Sequence, residues 1–547
     1  MRTMSRGRSR VTLLLAIPLA LTSRPLRAQD ALSGGETARV IVRFRADVAL
    51  VRALSPRGAA AARAAALGAR LALSLRAGAA VSDLAQVVFA SGMTSAELAE
   101  RLAHESDVEY AVPDERRRIV GAPNDPLYAP GVAGDGPETG QWYLRAPSGE
   151  VQSSLNVEAA WAVTTGSPGV VVAAVDTGVR YEHPDLLSVA AGGHLLPGYD
   201  MISDPASAND GDGRDSDASD PGDWLTWSEL SRPGSSLFRC TTSPSSSSWH
   251  GTQVSGLVAA LTDNGIGMAG VAPGVRVLPV RVLGKCGGYD SDIIAGLRWA
   301  AGLSVPEVPV NPDPARVINL SLGGDGVCSA AYQEAVDEAT AAGTVIVASA
   351  GNSSGHTVAS PANCRGVIAV AGLRHAGTKV GFSSLGPEVA IGAPGGNCVN
   401  TAPNAACLFP ILTTTDSGES VPVGSSYTDS YNASVGTSFS APLVAGVAAL
   451  ALSLHPELTP REVRDLLRAT ARPFPAAGSI PSSGTAPECT QPQYDLVGRP
   501  VDQLECYCTT ATCGAGMLEA GAALGGAGSA EPERERPPAR PDHGKGR

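Results

Sequence analysis

Four side chains far apart in the chain could together perform acyl transfer, in the order Asp176, His250, Asn352 and Ser438. A serine hydroxyl is a weak nucleophile at neutral pH and needs a base within hydrogen-bond reach, for which neutral imidazole has a suitable pKa. A buried carboxylate on the other ring nitrogen fixes the tautomer and stabilises imidazolium as it forms. An asparagine amide, with a backbone N–H at a helix start, can hold a developing oxyanion. Each residue also has a plainer reading: a turn or cap for Asp176, a structural role for His250, a chain reversal for Asn352, and helix capping for Ser438. His183 in YEHPDL is a competing base, but Pro184 directly after it disfavours a helix start there.

Each of the four sits where an element begins or ends. Asp176 closes VVVAAVD (170–176), His250 opens the helical stretch HGTQVSGLVAAL, and Asn352 ends TVIVASAGN (344–352). Ser438 lies in NASVGTSFSAPLVAGVAALAL (432–452), where hydroxyls crowd the mouth of an apolar helix. Pro442, tolerated in a first turn, places the start near Thr437 or Ser438, and the neighbouring hydroxyls are expected to supply the cap. The glycines beside the four (Gly178, Gly251, Gly351 and Gly436) permit close approach of backbone or substrate. Further apolar runs at 275–283, 316–322 and 366–372 alternate with helical stretches. Val/Ile-rich runs of this kind mark strands buried on both faces, so the fold class is α/β: a mostly parallel central sheet with helices on both faces. Ligands in such sheets bind beyond the carboxyl ends of the strands.

Around this domain (122–525) the sequence predicts three other segments. Residues 1–28 have an arginine-rich start, the apolar run 11–21 and Ala28 before a plausible cleavage point, which reads as an export signal. Residues 29–121 read as a small α+β unit: ARVIVRFR (38–45) alternates as a strand, TSAELAERLAHE (94–105) opens with a capping box, and VEYAV (108–112) is strand-like. It ends in the basic run Arg116-Arg117-Arg118, an accessible place for cleavage. The Pro-, Gly- and charge-rich tail 526–547 reads as disordered.

The 547 residues are 43% hydrophobic and only 4% aromatic, so packing must rely on small side chains. A net charge of −12 argues against a nucleic-acid partner. The helix near Ser438 is apolar and almost long enough to span a bilayer, but its hydroxylated start and His455 near its end favour a core helix, so no membrane is expected after signal removal. The ten cysteines all lie between Cys240 and Cys513 and suit disulfides in an exported chain. Neighbourhood suggests Cys240–Cys286, Cys328–Cys364, Cys398–Cys407 and two bonds among Cys489, Cys506, Cys508 and Cys513. Zinc is disfavoured because no pair has finger-like spacing. The loop NDGDGRDSDASDPGD (209–223) concentrates hard oxygen ligands suited to Ca²⁺, with Asp210, Asp212, Asp215, Asp217 and Asp220 as candidates; a solvated acidic loop is the alternative.

The blocks VVVAAVDTGVRYEHPDL, HGTQVSGLVAAL, ASAGN and GTSFSAPLVAGVAAL resemble the four signature blocks of subtilisin-like serine peptidases, the subtilases. The likeness is strongest to the secreted bacterial branch with cysteine-bearing loops, and 29–121 is similar to the family's inhibitory propeptides. The resemblance implies Asp176 as orienting acid, His250 as general base and acid, Ser438 as nucleophile and Asn352 as oxyanion donor. It implies that Ser321-Leu322-Gly323 and Gly287-Gly288-Tyr289 flank a peptide substrate as edge strands, with a side-chain pocket near Ala359 and Ser360. No acid occurs in 351–362, so neutral, medium or large apolar side chains are expected at the scissile position unless acids arrive from elsewhere. The expectation is thus a secreted, monomeric endopeptidase with protein substrates and its own propeptide as intramolecular inhibitor. Alternatives are a non-catalytic binding protein on the same fold, or a peptide ligase using the same acyl-enzyme.

Overall fold

In the computed structural model the described residues are 37–46, 59–114, 122–131, 137–398, 405–431, 434–476 and 486–525. The segment 1–28, the Arg116–Arg118 run and the tail 526–547 lie outside them. The chain forms two compact units, Met1–Ile119 and Val120–Arg547.

In the first unit, β1 (Thr37–Phe44) follows the predicted alternation, with Val40, Val42 and Phe44 buried. It lies between β3 (Ala85–Ser91) and β4 (Val108–Pro113) in an antiparallel four-stranded sheet completed by β2 (Arg76–Ala80). Helices α1 (Ala59–Leu71) and α2 (Ser95–Ala103) contribute Leu67, Leu98 and Leu102 to its core. The capping box is present: Thr94 Oγ1 accepts from Glu97 N, and the Glu97 carboxylate accepts from Thr94 N at 2.8 Å.

The second unit is built on seven parallel strands: β5 (Val171–Asp176), β6 (Tyr199–Asp200), β7 (Arg276–Arg281), β8 (Val317–Leu320), β9 (Val345–Ser349), β10 (Ile368–Leu373) and β11 (Val389–Pro394). Their order is β11-β10-β9-β8-β5-β7-β6. Alternation along β5 splits the core in two. Val172 and Ala174 face one apolar layer, while Val171, Ala173 and Val175 face the other. The first layer takes α3 (His250–Ala259) and α6 (Thr437–Leu454), and the second takes α4 (Asp290–Ala300) and α5 (Ala330–Ala341). α6 is buried almost throughout, which its small apolar residues permit, so it is a core helix. A short antiparallel hairpin, β12 (Thr414–Asp416) and β13 (Ser425–Tyr427), packs on α3.

Five disulfides join Cys240–Cys286, Cys328–Cys364, Cys398–Cys407, Cys489–Cys506 and Cys508–Cys513. The three neighbour pairings agree with the sequence reading, and the last two bonds settle the pairing that the sequence left open.

Candidate active site

Asp176 ends β5 with its carboxylate wholly buried. Its Oδ1 accepts from Thr177 N and faces His250 Nδ1, each at 2.8 Å, while Oδ2 is buried with no hydrogen-bond partner among the described residues. Burial alone would lower the His250 pKa, but Asp176, with Asp223 and Asp220 farther off, outweighs it and the net direction is upward.

The strand end and the helix start are clamped together. Thr177 Oγ1 donates to Asp220 Oδ2 at 2.7 Å and accepts from Gly251 N at 2.9 Å. A Cβ on Gly251 would stand 2.1 Å from Gly178 O, so only glycine allows this approach. Just before His250, Trp249 holds a left-handed φ of 52°, costly for an aromatic residue. Its burial and the 2.7 Å bond from its indole N–H to Gly418 O keep it there.

Ser438 is the second residue of α6, as the sequence placed it, but the cap differs. The N-cap is Gly436, which offers no side chain, and Asn352 Oδ1 accepts from both Thr437 N and Thr437 Oγ1 at 3.0 Å. With the amide oxygen tied to Thr437, Asn352 Nδ2 makes no hydrogen bond among the described residues and is left as a donor. A Cβ on Gly436 would lie 3.5 Å from Asn352 Nδ2 and 3.7 Å from Ser438 N, so both donors border the same glycine.

Pro442 sits inside α6 rather than in its first turn, and it has no N–H to donate to the Ser438 carbonyl. Ser321 Oγ makes that bond instead, at 2.6 Å. The Ser438 hydroxyl in turn donates to Ser321 O at 3.1 Å. His250 Nε2 makes no hydrogen bond among the described residues; its ring lies beside Phe439, with centroids 5.5 Å apart. His183 is no rival base, being fully buried with Nε2 on Ser426 O.

A cleft of about 560 Å³ opens beside His250. Gly287, Gly288, Ser321, Leu322, Gly323 and Ser360 line it, and Gly324 and Ser360 exchange backbone bonds of 2.9 and 3.0 Å. Tyr289 and Ala359 are not in the lining: Tyr289 is exposed at the start of α4, and Ala359 is buried behind Gly323. Asp223, Asp290 and Asp325 also enter the lining, so acids do arrive from distant segments.

The acidic loop divides. Asp220 is buried and bonded to Thr177 and to Gly222 N, apart from the other four candidates; desolvation pushes its pKa up to about 6. Asp210, Asp212, Asp215 and Asp217 line a separate depression of about 430 Å³ with Arg180. Asp210 is bonded to Arg281, and among the described residues no three of these carboxylates bring oxygens within 4.8 Å of one another. Oxygen chemistry there suits calcium, but the spacing is open. Elsewhere, Asp125 Oδ1 is buried with no partner among the described residues, the state a cation would relieve. Asp125 Oδ2 accepts from Asp263 N, and Asp185 accepts from the adjacent Asn264; desolvation raises the Asp185 pKa to about 6.

The model of the Subtilase family matches residues 167–496. An "Extracellular protease" of Xanthomonas campestris pv. campestris is 42% identical over 384 residues, covering 70% of this chain and 58% of that protein. An "Extracellular basic protease" of Dichelobacter nodosus is 40% identical over 380 residues, covering 68% and 56%. A solved protease of Pseudoalteromonas arctica is 42% identical at a TM-score of 0.59, covering 74% of this chain and all of its own. The chain belongs to the subtilase family, a family of serine peptidases. It spans little more than half the length of these two relatives.

Proposed function

We propose that this protein is a secreted serine endopeptidase that cuts protein substrates and is made as a self-processing zymogen. The observation that carries the reading is the 2.8 Å His250 Nδ1–Asp176 Oδ1 pair on a helix packed against the one that begins at Thr437-Ser438. Rotation of the Ser438 side chain takes its hydroxyl from Ser321 O to His250 Nε2, the tightening on substrate binding that unliganded sites commonly need.

Ser438 Oγ attacks the scissile carbonyl carbon while its proton passes to His250 Nε2. The oxyanion accepts from Asn352 Nδ2 and Ser438 N, reinforced by the start of α6. Collapse breaks the C–N bond, and His250 returns the proton to the departing amine. Water, deprotonated by His250, then attacks the ester, and its breakdown frees the acid and restores Ser438. Gly287-Gly288 and Ser321-Leu322-Gly323 hold the peptide by backbone pairing across the cleft. Residues 1–28 direct export, and 29–121 serve as propeptide, inhibiting until cut at 112–125. Structural calcium is held by the Asp210–Asp217 loop or by the Asp125/Asp185 pair, the second being favoured by its orphaned oxygen.

The test is casein digestion by wild-type and Ser438→Ala proteins. The wild type should digest casein and lose its leader, whereas Ser438→Ala should do neither. A mature form of that variant in a protease-free preparation would refute self-processing, and wild type that leaves casein whole after leader removal would refute the peptidase reading.

A further inference from the structure

Lys379 is wholly buried yet forms no ion pair among the described residues. Its Nζ donates to the carbonyls of Val380, Gly381 and Ser383 at 2.9, 3.0 and 3.1 Å. A buried cation without a carboxylate is costly unless its donors are satisfied, and here backbone alone satisfies them. The ammonium therefore fixes the turn 380–384 around itself. Desolvation pushes its pKa down to about 7.

The other side of that turn grips the segment bearing Asn352. Ser384 N donates to Gly351 O at 2.8 Å, Ser354 N to Phe382 O at 2.8 Å and Gly355 N to Ser383 O at 2.9 Å. Ser353 N adds a bond to Ser384 Oγ at 3.3 Å. These bonds bracket Asn352 on both sides, while its side-chain oxygen is tied to Thr437. Lys379 is itself anchored, its N–H donating to Cys506 O at 2.9 Å, in a stretch beyond the family match at 167–496.

We infer that Lys379 is a positioning residue for the oxyanion donor: by gathering three carbonyls it shapes the turn that aims Asn352 Nδ2 at the reacting carbonyl. The inference rests on the peptidase reading. Its consequence is selective, because a misaimed oxyanion donor weakens transition-state binding and leaves substrate binding by the cleft edges in place.

The experiment is a double-mutant cycle of wild type, Lys379→Met, Asn352→Ala and the pair, each full-length precursor matured with immobilised wild-type enzyme that is then removed. Activity on succinyl-Ala-Ala-Pro-Phe p-nitroanilide is normalised to sites titrated to completion with a serine-directed phosphonate. Lys379→Met should lower kcat about 10–100-fold with KM changed by less than about threefold, and should lower kcat by less than about threefold when Asn352 is already Ala. Equal losses in both backgrounds, a loss confined to KM, or an unchanged kcat would overturn the inference. Should Lys379→Met not fold, Ser384→Ala decides: a kcat loss of about threefold or more that vanishes in the Asn352→Ala background supports it, and an equal or absent loss overturns it. Wild type that neither labels nor cleaves would overturn the catalytic reading, and this inference with it.

Discussion

The imidazole of His250 stands in a field made by three carboxylates. Only Asp176 touches it; Asp223 braces the approach to the helix by accepting from Ser248 N at 2.6 Å and Ser248 Oγ at 2.8 Å. Negative charge favours imidazolium, so the acid limb of kcat/KM should lie above the ordinary imidazole value of 6.5. Replacing Asp223 by Asn removes one charge without removing the hydrogen-bonding group, and the limb should then move to lower pH. A pH profile of the purified variant checks this; an unmoved or upward-moving limb contradicts it. Asp176, His250, Asn352 and Ser438 were legible in the sequence because each is a polar residue at the rim of an apolar run. Thr177, which clamps the strand end, carries no such signal, because a hydroxyl beside an acid reads the same wherever its partner lies. Asp220 and Ser321 were singled out, but as a calcium ligand and a substrate edge, since the sequence does not show that one accepts from Thr177 and the other donates to Ser438 O.

Long apolar runs announced β5, β7, β8, β9 and β10, trimmed at their ends by the loops that carry function. β11 was harder to see because VAIGAP contains Gly and Pro, and the hairpin at 414–427 has strands of only three residues. The start of α6 shows where local rules give way to tertiary ones. Its hydroxyls suggested a self-contained cap, yet the cap comes from Asn352, ahead of it in the chain by more than eighty residues, and the carbonyl freed by Pro442 is taken by Ser321. The two departures together link the start of the helix to Asn352 and to the cleft edge at Ser321. A free carbonyl at a helix start is otherwise a buried acceptor costing about 1–3 kcal/mol.

Across the whole molecule, small residues let a large parallel sheet close on both faces, and five disulfides pin loops outside it. The near-neighbour pairings were readable from proximity in sequence; which of the last four cysteines join was not, because all lie within one short segment. The same holds for calcium, since the count of acids in 209–223 says nothing of where their oxygens point. A cation bound only by the folded state at a hundredfold its Kd adds about 2.7 kcal/mol. Chelator should therefore speed thermal inactivation and added Ca²⁺ should reverse it, with Asp185→Asn and Asp215→Asn showing which site responds; inactivation indifferent to chelator contradicts bound calcium. The proposed mechanism needs one hydroxyl activated by one imidazole. Incubating the matured protein with a serine-directed phosphonate and mapping the adduct by mass spectrometry decides whether that pair acts. A single adduct on Ser438 that is lost in His250→Ala is the predicted result, and no adduct, or one on another serine, would contradict the account.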